Sequence, residues 1–363
     1  MKNSMNKLAD LLIDSNERLD EPLYIGLGEF ILNVQSNSNE LLDKLRGYFS
    51  HAIVEPHQGA TSVIAIERSA VDLDMEFRDW KREPNKSARK DSYIDVDNTR
   101  LIRKVRTGMV FLQSKAEKIA AGPCLKNDNQ VINFINAQCM NYLQNHGYAI
   151  CHAAAVVVNG FAIGMAGFSG GGKSTLMLQL LNSDHISYMT NDRLFVKSES
   201  DQVQACGIPK LPRVNPGTIV HHPKLKKQLL TEQQCQAYLN LPRDELWDLE
   251  EKHDVMVEQV FGKDKIRMQA PLNTFLVLNW DRNSSDALQV NRVDLNQRRD
   301  LLQAIMKSPG PFYQHNDESF HQDSRLPDEQ QYISTFANVA VYEATGQVNF
   351  VKLADICLDK LVS

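Results

Sequence analysis

Residues 167–174 read Gly-Phe-Ser-Gly-Gly-Gly-Lys-Ser, the G-x-x-x-x-G-K-[ST] pattern of a phosphate-binding P-loop. The chemistry is that of an anion cradle. Gly167, Gly170, Gly171 and Gly172 let successive backbone N–H groups turn into one concavity with no Cβ in the way. A helix starting there adds partial positive charge at its N-terminus. Lys173 is placed to reach the β- and γ-phosphates of a nucleotide, and the Ser174 hydroxyl to ligate Mg²⁺. Phe168, Ser169 and Thr175 complete the expected cofactor-binding stretch, 167–175. A flexible glycine-rich loop with a chance Lys-Ser is the plain alternative. It requires both flanks to agree by accident, because an apolar run of strand length (161–166) precedes the loop and an apolar, helix-favouring run (175–181) follows it.

A framework must position that loop. Strand-like runs occupy 23–34 and 62–67, and 39–49 carries Leu41, Leu42, Leu45, Tyr48 and Phe49 at helical spacing. Residues 80–91 are polar and read as a loop; 92–96 and 100–112 read as strands around an Asp97-Asn98 turn. The spacing of Val131, Ile132, Ile135, Cys139, Tyr142 and Leu143 predicts a helix over 128–146, with Asn127 capping its start and Gly147 its end. A strand over 151–158 is joined to 161–166 by Asn159-Gly160, a strong hairpin signal. The strand entering the loop is therefore expected to pair antiparallel with the strand before it. Further on come a strand over 186–196 interrupted at Asn191-Asp192, a Pro/Gly-rich ordered loop over 206–219, a charged and apolar mixture over 246–261, and a buried-type strand over 274–278. A helix over 296–306, a strand over 339–343 and a helix over 353–362 close the chain. This order predicts a small mixed α/β domain over 1–147 and a P-loop domain over 148–363.

Composition narrows the function classes. Of 363 residues, 42% are hydrophobic and 23% charged, as in ordinary globular domains. No apolar run approaches the ~20 residues of a membrane span, and residues 1–17 lack the apolar core of a secretory leader. The six cysteines are scattered without a CxxC pair, so neither a zinc site nor a disulfide framework is expected, and the cytoplasm is the simplest setting. A net charge of −5 gives no basic bias toward nucleic acid. The basic stretch 78–106 reads as a solvated loop followed by a half-buried strand, with Leu101, Arg103 and Val105 alternating; a surface for an anionic partner, nucleic acid included, is the alternative.

Which phosphate chemistry follows is narrowed by absences: there is no Asn-Lys-x-Asp for guanine, no transporter signature and no helicase motif set. The succession His152, hairpin, P-loop, Asn191-Asp192-Arg193 and a strand ending Asn279-Trp280-Asp281 resembles that of bacterial HPr serine kinase/phosphorylase. The segments 103–112, 127–138, 190–196, 207–219 and 246–255 look like the branch called HprK-related kinase B. The resemblance implies an α/β, P-loop kinase domain of the HPr-kinase/PEP-carboxykinase-like type. It also implies an ATP- and Mg²⁺-dependent kinase whose acceptor is a protein serine or a small-molecule hydroxyl, and self-association into a homo-oligomer. His152 matches the family's active-site histidine; a core histidine at a strand start is the alternative. Asn191 stands where the family has its proton-accepting Asp, and an amide cannot take that proton. Asp192 matches the second Asp, expected to hold Mg²⁺ with Ser174 or to act as base, against the alternative of a turn residue between half-strands. The Glu-x-Arg-Gly-Leu-Gly signature is missing. Lys210 and Arg213, in the loop at the corresponding place, are candidate phosphate or substrate contacts, against surface charge. Asp281 competes with Asp192 for the metal role, Arg282 or Arg292 could face the transferring phosphate, and Glu250, Glu251, Lys252 and Asp254 either line the site or form a solvated helix face. Because of Asn191, a nucleotide-binding regulatory protein without transferase activity stands as the second reading.

Overall fold

The computed structural model describes residues 2–15, 17–81, 90–168, 170–281 and 283–361. The chain forms two compact units, Met1–Gly147 with Ser308–Pro327, and Tyr148–Lys307 with Asp328–Ser363. The expected second domain ran unbroken to residue 363, whereas 308–327 packs in the first unit. Arg100 draws it there, its Nη1 donating to the carbonyls of Pro311 (3.1 Å) and His321 (2.9 Å), while Phe312 packs against Phe111 and Phe134.

The first unit is built on a mixed sheet of strands β1 (Leu23–Leu27), β2 (Phe30–Ser36), β3 (Thr61–Glu67), β4 (Arg78–Asp79), β5 (Asp91–Val96), β6 (Thr99–Lys104), β7 (Val110–Gln113) and β8 (Lys118–Gly122). Their order is β1-β2-β3-β8-β7-β6-β5-β4, with β3 parallel to both its neighbours. Among the described residues, α1 (Lys2–Ile13), α2 (Asn39–Tyr48) and α3 (Asp128–Asn145) accompany it. Most of the loop expected over 80–91 lies outside the described residues. The strand expected over 100–112 is two, because a turn closed by Gly108 N–H on the Lys104 carbonyl (3.0 Å) separates β6 from β7. The expected alternation also fails. Arg100 is fully buried, forked onto Asp95 at 2.6 and 2.8 Å between the rings of Tyr93 and Phe320, and Val105 is exposed. Asn127 precedes α3, but its side chain turns back to the Pro123 carbonyl (2.8 Å) instead of capping.

The second unit holds β9 (Ala149–Cys151), β10 (Ala153–Val158), β11 (Phe161–Gly167), β12 (Ile186–Asn191), β13 (Leu194–Glu199), β14 (Gln202–Cys206), β15 (Arg213–Val214), β16 (His253–Asp254), β17 (Gln269–Leu278), β18 (Gln289–Arg292) and β19 (Ala340–Thr345). Its helices are α4 (Lys173–Leu180), α5 (Pro216–Val220), α6 (Pro223–Leu229), α7 (Glu232–Leu239), α8 (Arg243–Asp248), α9 (Val257–Phe261), α10 (Leu302–Ile305), α11 (Glu329–Thr335) and α12 (Phe350–Lys360). Two strand layers share β17. Its first residues pair with β14, and its remainder runs parallel to β11 and β19.

One layer is thus β12-β10-β11-β17-β19-β18 and the other β9-β13-β14-β17. The single strand expected over 151–158 breaks at His152, because Cys151 pairs with Leu194 in one layer while Ala153 pairs with Ala166 in the other. The chain crosses back at Asp192-Arg193, between β12 and β13. The helix expected over 296–306 is a 3₁₀ turn, Arg299–Leu301, running into α10. Asp294 accepts the N–H of Asn296 on its carboxylate (2.9 Å) and those of Gln297 and Arg298 on its carbonyl, which holds residues 294–298 in a turn. The stretch 246–261 divides among α8, β16 and α9. Among the described residues, no helix is long and apolar enough to cross a membrane.

Candidate functional site

β11 is the buried strand that delivers the glycine loop, flanked by β10 and β17. The hairpin from β10 turns on Asn159 (φ 51°) and Gly160 (φ 83°), the two positive-φ positions a type I′ turn demands. At the strand's end Gly167 lies in register with Leu278 of β17. The loop closes on itself, Gly171 N–H donating to the Phe168 carbonyl (2.8 Å). Gly172 precedes α4 with φ 79°, and a Cβ there would run into the Phe350 ring of α12, so both conformation and space require glycine. Lys173 opens α4 and folds back to donate to the Gly167 carbonyl (3.1 Å). Thr175 and Thr218 share a hydrogen bond (3.0 Å) that ties α4 to α5. Phe168 stands exposed at the loop's rim, and Ser169 lies outside the described residues.

The two strand breaks converge beside this loop. The Ser174 hydroxyl donates to Asn191 Oδ1 at 2.8 Å. One residue on, Asp192 has φ 109°, an unusual conformation for a side-chain-bearing residue, and its N–H donates to the Ala153 carbonyl (3.0 Å). Its carboxylate meets His152 Nε2 at 3.1 Å, Lys307 Nζ at 3.6 Å and Arg193 Nε at 3.8 Å. The His152 N–H is held by the Ile305 carbonyl (2.7 Å), which brings the end of α10, and Lys307 after it, to the same place.

Charge follows from this crowding. Burial alone would raise the Asp192 carboxyl, but the His152 hydrogen bond and the Lys307 and Arg193 charges hold it well below the ordinary carboxylate range. For His152, the Asp192 hydrogen bond pushes upward, yet burial with the Lys307 and Lys173 charges outweighs it and leaves the imidazole below its usual value. Burial brings Lys173 down to about 8, with Asp192 opposing and Lys307 adding to the fall.

Of the two loop cations, Lys210 belongs to this electrostatic group and Arg213 is engaged elsewhere. Lys210 sits where Tyr188 Oη donates to its carbonyl (2.6 Å), and burial with the Arg193 charge brings its ammonium down to about 8, Asp192 opposing. Arg213 pairs with Asp254 across β15 and β16 at 3.0 Å. Asp281 is exposed and makes a turn, accepting from Asn283 N–H at 2.8 Å. Arg292 is exposed on β18, and Arg282 lies outside the described residues. Glu251 accepts from Tyr238 Oη at 2.9 Å, and Glu250 is exposed.

Sequence reasoning missed Lys307 and the aromatic groups Trp247 and Phe350. Nothing local marks Lys307: it reaches Asp192 because Met306 bridges to Cys151 across more than a hundred residues of chain. Trp280 was visible as the tail of the 274–278 strand, but its bond to the loop, Nε1 donating to the Gly171 carbonyl at 3.0 Å, was not.

No family model matches the chain, and no curated protein matches it in sequence. Among solved structures it is similar to the Hpr(Ser) kinase/phosphatase from Coxiella burnetii, at 10% identity over 59% of this chain and 96% of that one, with a TM-score of 0.30. An overlap of that size is too slight to carry fold or activity across.

Proposed function

We propose that the chain is an ATP-dependent phosphotransferase of the HPr-kinase-like kind, passing the γ-phosphate to a hydroxyl of a protein serine or a small molecule. The observation that supports it best is the convergence of the loop with both strand breaks, so that Lys173, Ser174, Asn191, Asp192, His152 and Lys307 surround one place. Lys173 and the loop N–H groups bind the β- and γ-phosphates, with Lys307 and Lys210 offsetting further charge. Ser174 Oγ and Asn191 Oδ1, side by side next to the loop, are hard oxygen donors that would hold Mg²⁺, while the Asp192 carboxylate, expected beside Ser174 on the metal, faces His152 and Lys307 instead. Mg²⁺, when bound, supplies charge neutralisation across the β- and γ-phosphates.

His152 serves as the proton acceptor in this reading. With its Nε2–H directed to Asp192, the ring presents Nδ1 as an acceptor, and a depressed pKa keeps it neutral near pH 7. Asp192, firmly ionised, orients the ring; Asn191, unable to take a proton, positions Ser174. Transfer passes through a loose transition state in which positioning and charge matter more than a strong base. The experiment is transfer of label from γ-labelled ATP to cell extract, with Lys173→Ala beside the wild type. Labelled acceptor from the wild type alone supports transfer; ATP binding without any labelled product would favour the second reading, a nucleotide-binding regulatory protein, to which Asn191 lends its support. A cytoplasmic setting and self-association are part of the same proposal.

A further inference from the structure

The two sides of β11 differ in chemistry. On the β10–β12 side stand His152, Asp192 and Lys307. On the β17 side stand aromatic rings. Trp280 follows β17 by two residues and is pinned by its Nε1 bond to the Gly171 carbonyl (3.0 Å). Trp247 of α8 reaches the loop from the helical segment, its Nε1 3.7 Å from where a Cβ on Gly170 would lie. The two rings meet edge to face, 5.8 Å between centroids and 85° between planes, and both are half-buried. Phe350 backs Trp280 at 6.3 Å. A nucleotide has the same polarity, a polyanion at one end and a flat aromatic base at the other.

We propose that Trp247 is the platform on which the base of the bound nucleotide stacks, in the corner it makes with Trp280, while the terminal phosphate points to the His152–Asp192–Lys307 side. This rests on the reading of the loop as a nucleotide site. Stacking uses the π-face that every base presents, so ATP and GTP are held alike, and the preference is for a base over no base.

The test is calorimetric titration of the full chain, in Mg²⁺, with ATP, GTP and inorganic tripolyphosphate. In the wild type ATP and GTP each bind about 10-fold or more tighter than tripolyphosphate, the size expected for one stacked base. Trp247→Ala reduces ATP to the affinity of tripolyphosphate and leaves tripolyphosphate itself unchanged; Trp247→Phe, which keeps a ring, retains most of the difference. Equal binding of ATP and tripolyphosphate by the wild type, or an equal loss of both in Trp247→Ala, overturns the platform while leaving the phosphate cradle standing. Failure of the wild type to bind either ligand overturns the nucleotide reading and the platform with it. Should Trp247→Ala not fold, tryptophan fluorescence of the wild type decides: quenching by ATP but not by tripolyphosphate is expected, and the same response to both refutes the platform.

Discussion

Asp192→Asn separates a working carboxylate from a turn residue. The substitution keeps the shape and, like Asp, tolerates the positive φ at this position (109°), so the backbone does not confound the result. It removes one charge that lies 3.1 Å from His152 Nε2, 3.6 Å from Lys307 and 3.8 Å from Arg193, on a side chain that is 39% exposed. The screened ion pairs with Lys307 and Arg193 contribute about 0.2–1 kcal/mol each, and Asn can still accept the His152 Nε2–H, so the loss in urea unfolding near pH 7 should total about 0.5–2 kcal/mol. Because the folded-state carboxyl lies below its ordinary 3.8, this contribution is present above that value and is lost as pH falls beneath it. The gap between variant and wild type should therefore close in acid. ATP binding should move the other way, strengthening as the surrounding cations lose their counter-ion and meet the triphosphate instead. Label transfer should fall about 100-fold or more, the scale of losing an oriented proton acceptor. Calorimetry, denaturation and label transfer on the same preparation check all three. Transfer at the wild-type rate, or an ATP affinity that falls together with stability, would refute the reasoning and return Asp192 to a structural turn.

Asn191→Ala removes one oxygen proposed for Mg²⁺ together with the partner that places Ser174, and should weaken Mg²⁺ binding in the presence of ATP at least about 10-fold, the lower end of what losing a ligand's support alone costs, and leave metal-free ATP binding unchanged in the same titration. With Lys210 near 8 in the free protein, ATP binding at pH 8 should take up protons, and affinity should fall between pH 7 and 9. Calorimetry in buffers of different ionisation enthalpy measures that uptake, and Lys210→Gln should remove part of it. Gly160→Ala has open space around the new Cβ but a φ of 83°, so it should cost about 1–2 kcal/mol in urea unfolding through backbone conformation alone and leave ATP affinity unaltered.

What could be read from the chain was local. Strand, glycine loop and helix around 167–174 appear as their pattern requires, and so does the Asn159-Gly160 hairpin, because a few adjacent residues decide each. The break at His152 could not be read. Cys151 and Ala153 are both apolar and sit in one run of strand length, and only their partners, Leu194 and Ala166, assign them to different layers. The same holds for Arg100, whose burial depends on Asp95 and on carbonyls at Pro311 and His321, and for Lys307, which no motif precedes. The chemistry-bearing residue types were visible in sequence; the contacts that sort Asn191 onto Ser174 and Asp192 onto His152 come from the crossing of two layers.

Every role proposed for this protein rests on nucleotide binding by the loop 167–174 through Lys173. Calorimetric titration of the full chain with ATP and Mg²⁺, wild type beside Lys173→Ala, tests it most directly. Saturable binding by the wild type and at least a tenfold loss in the variant, about 1.4 kcal/mol, are expected. No binding by the wild type, or equal binding by both, would contradict it.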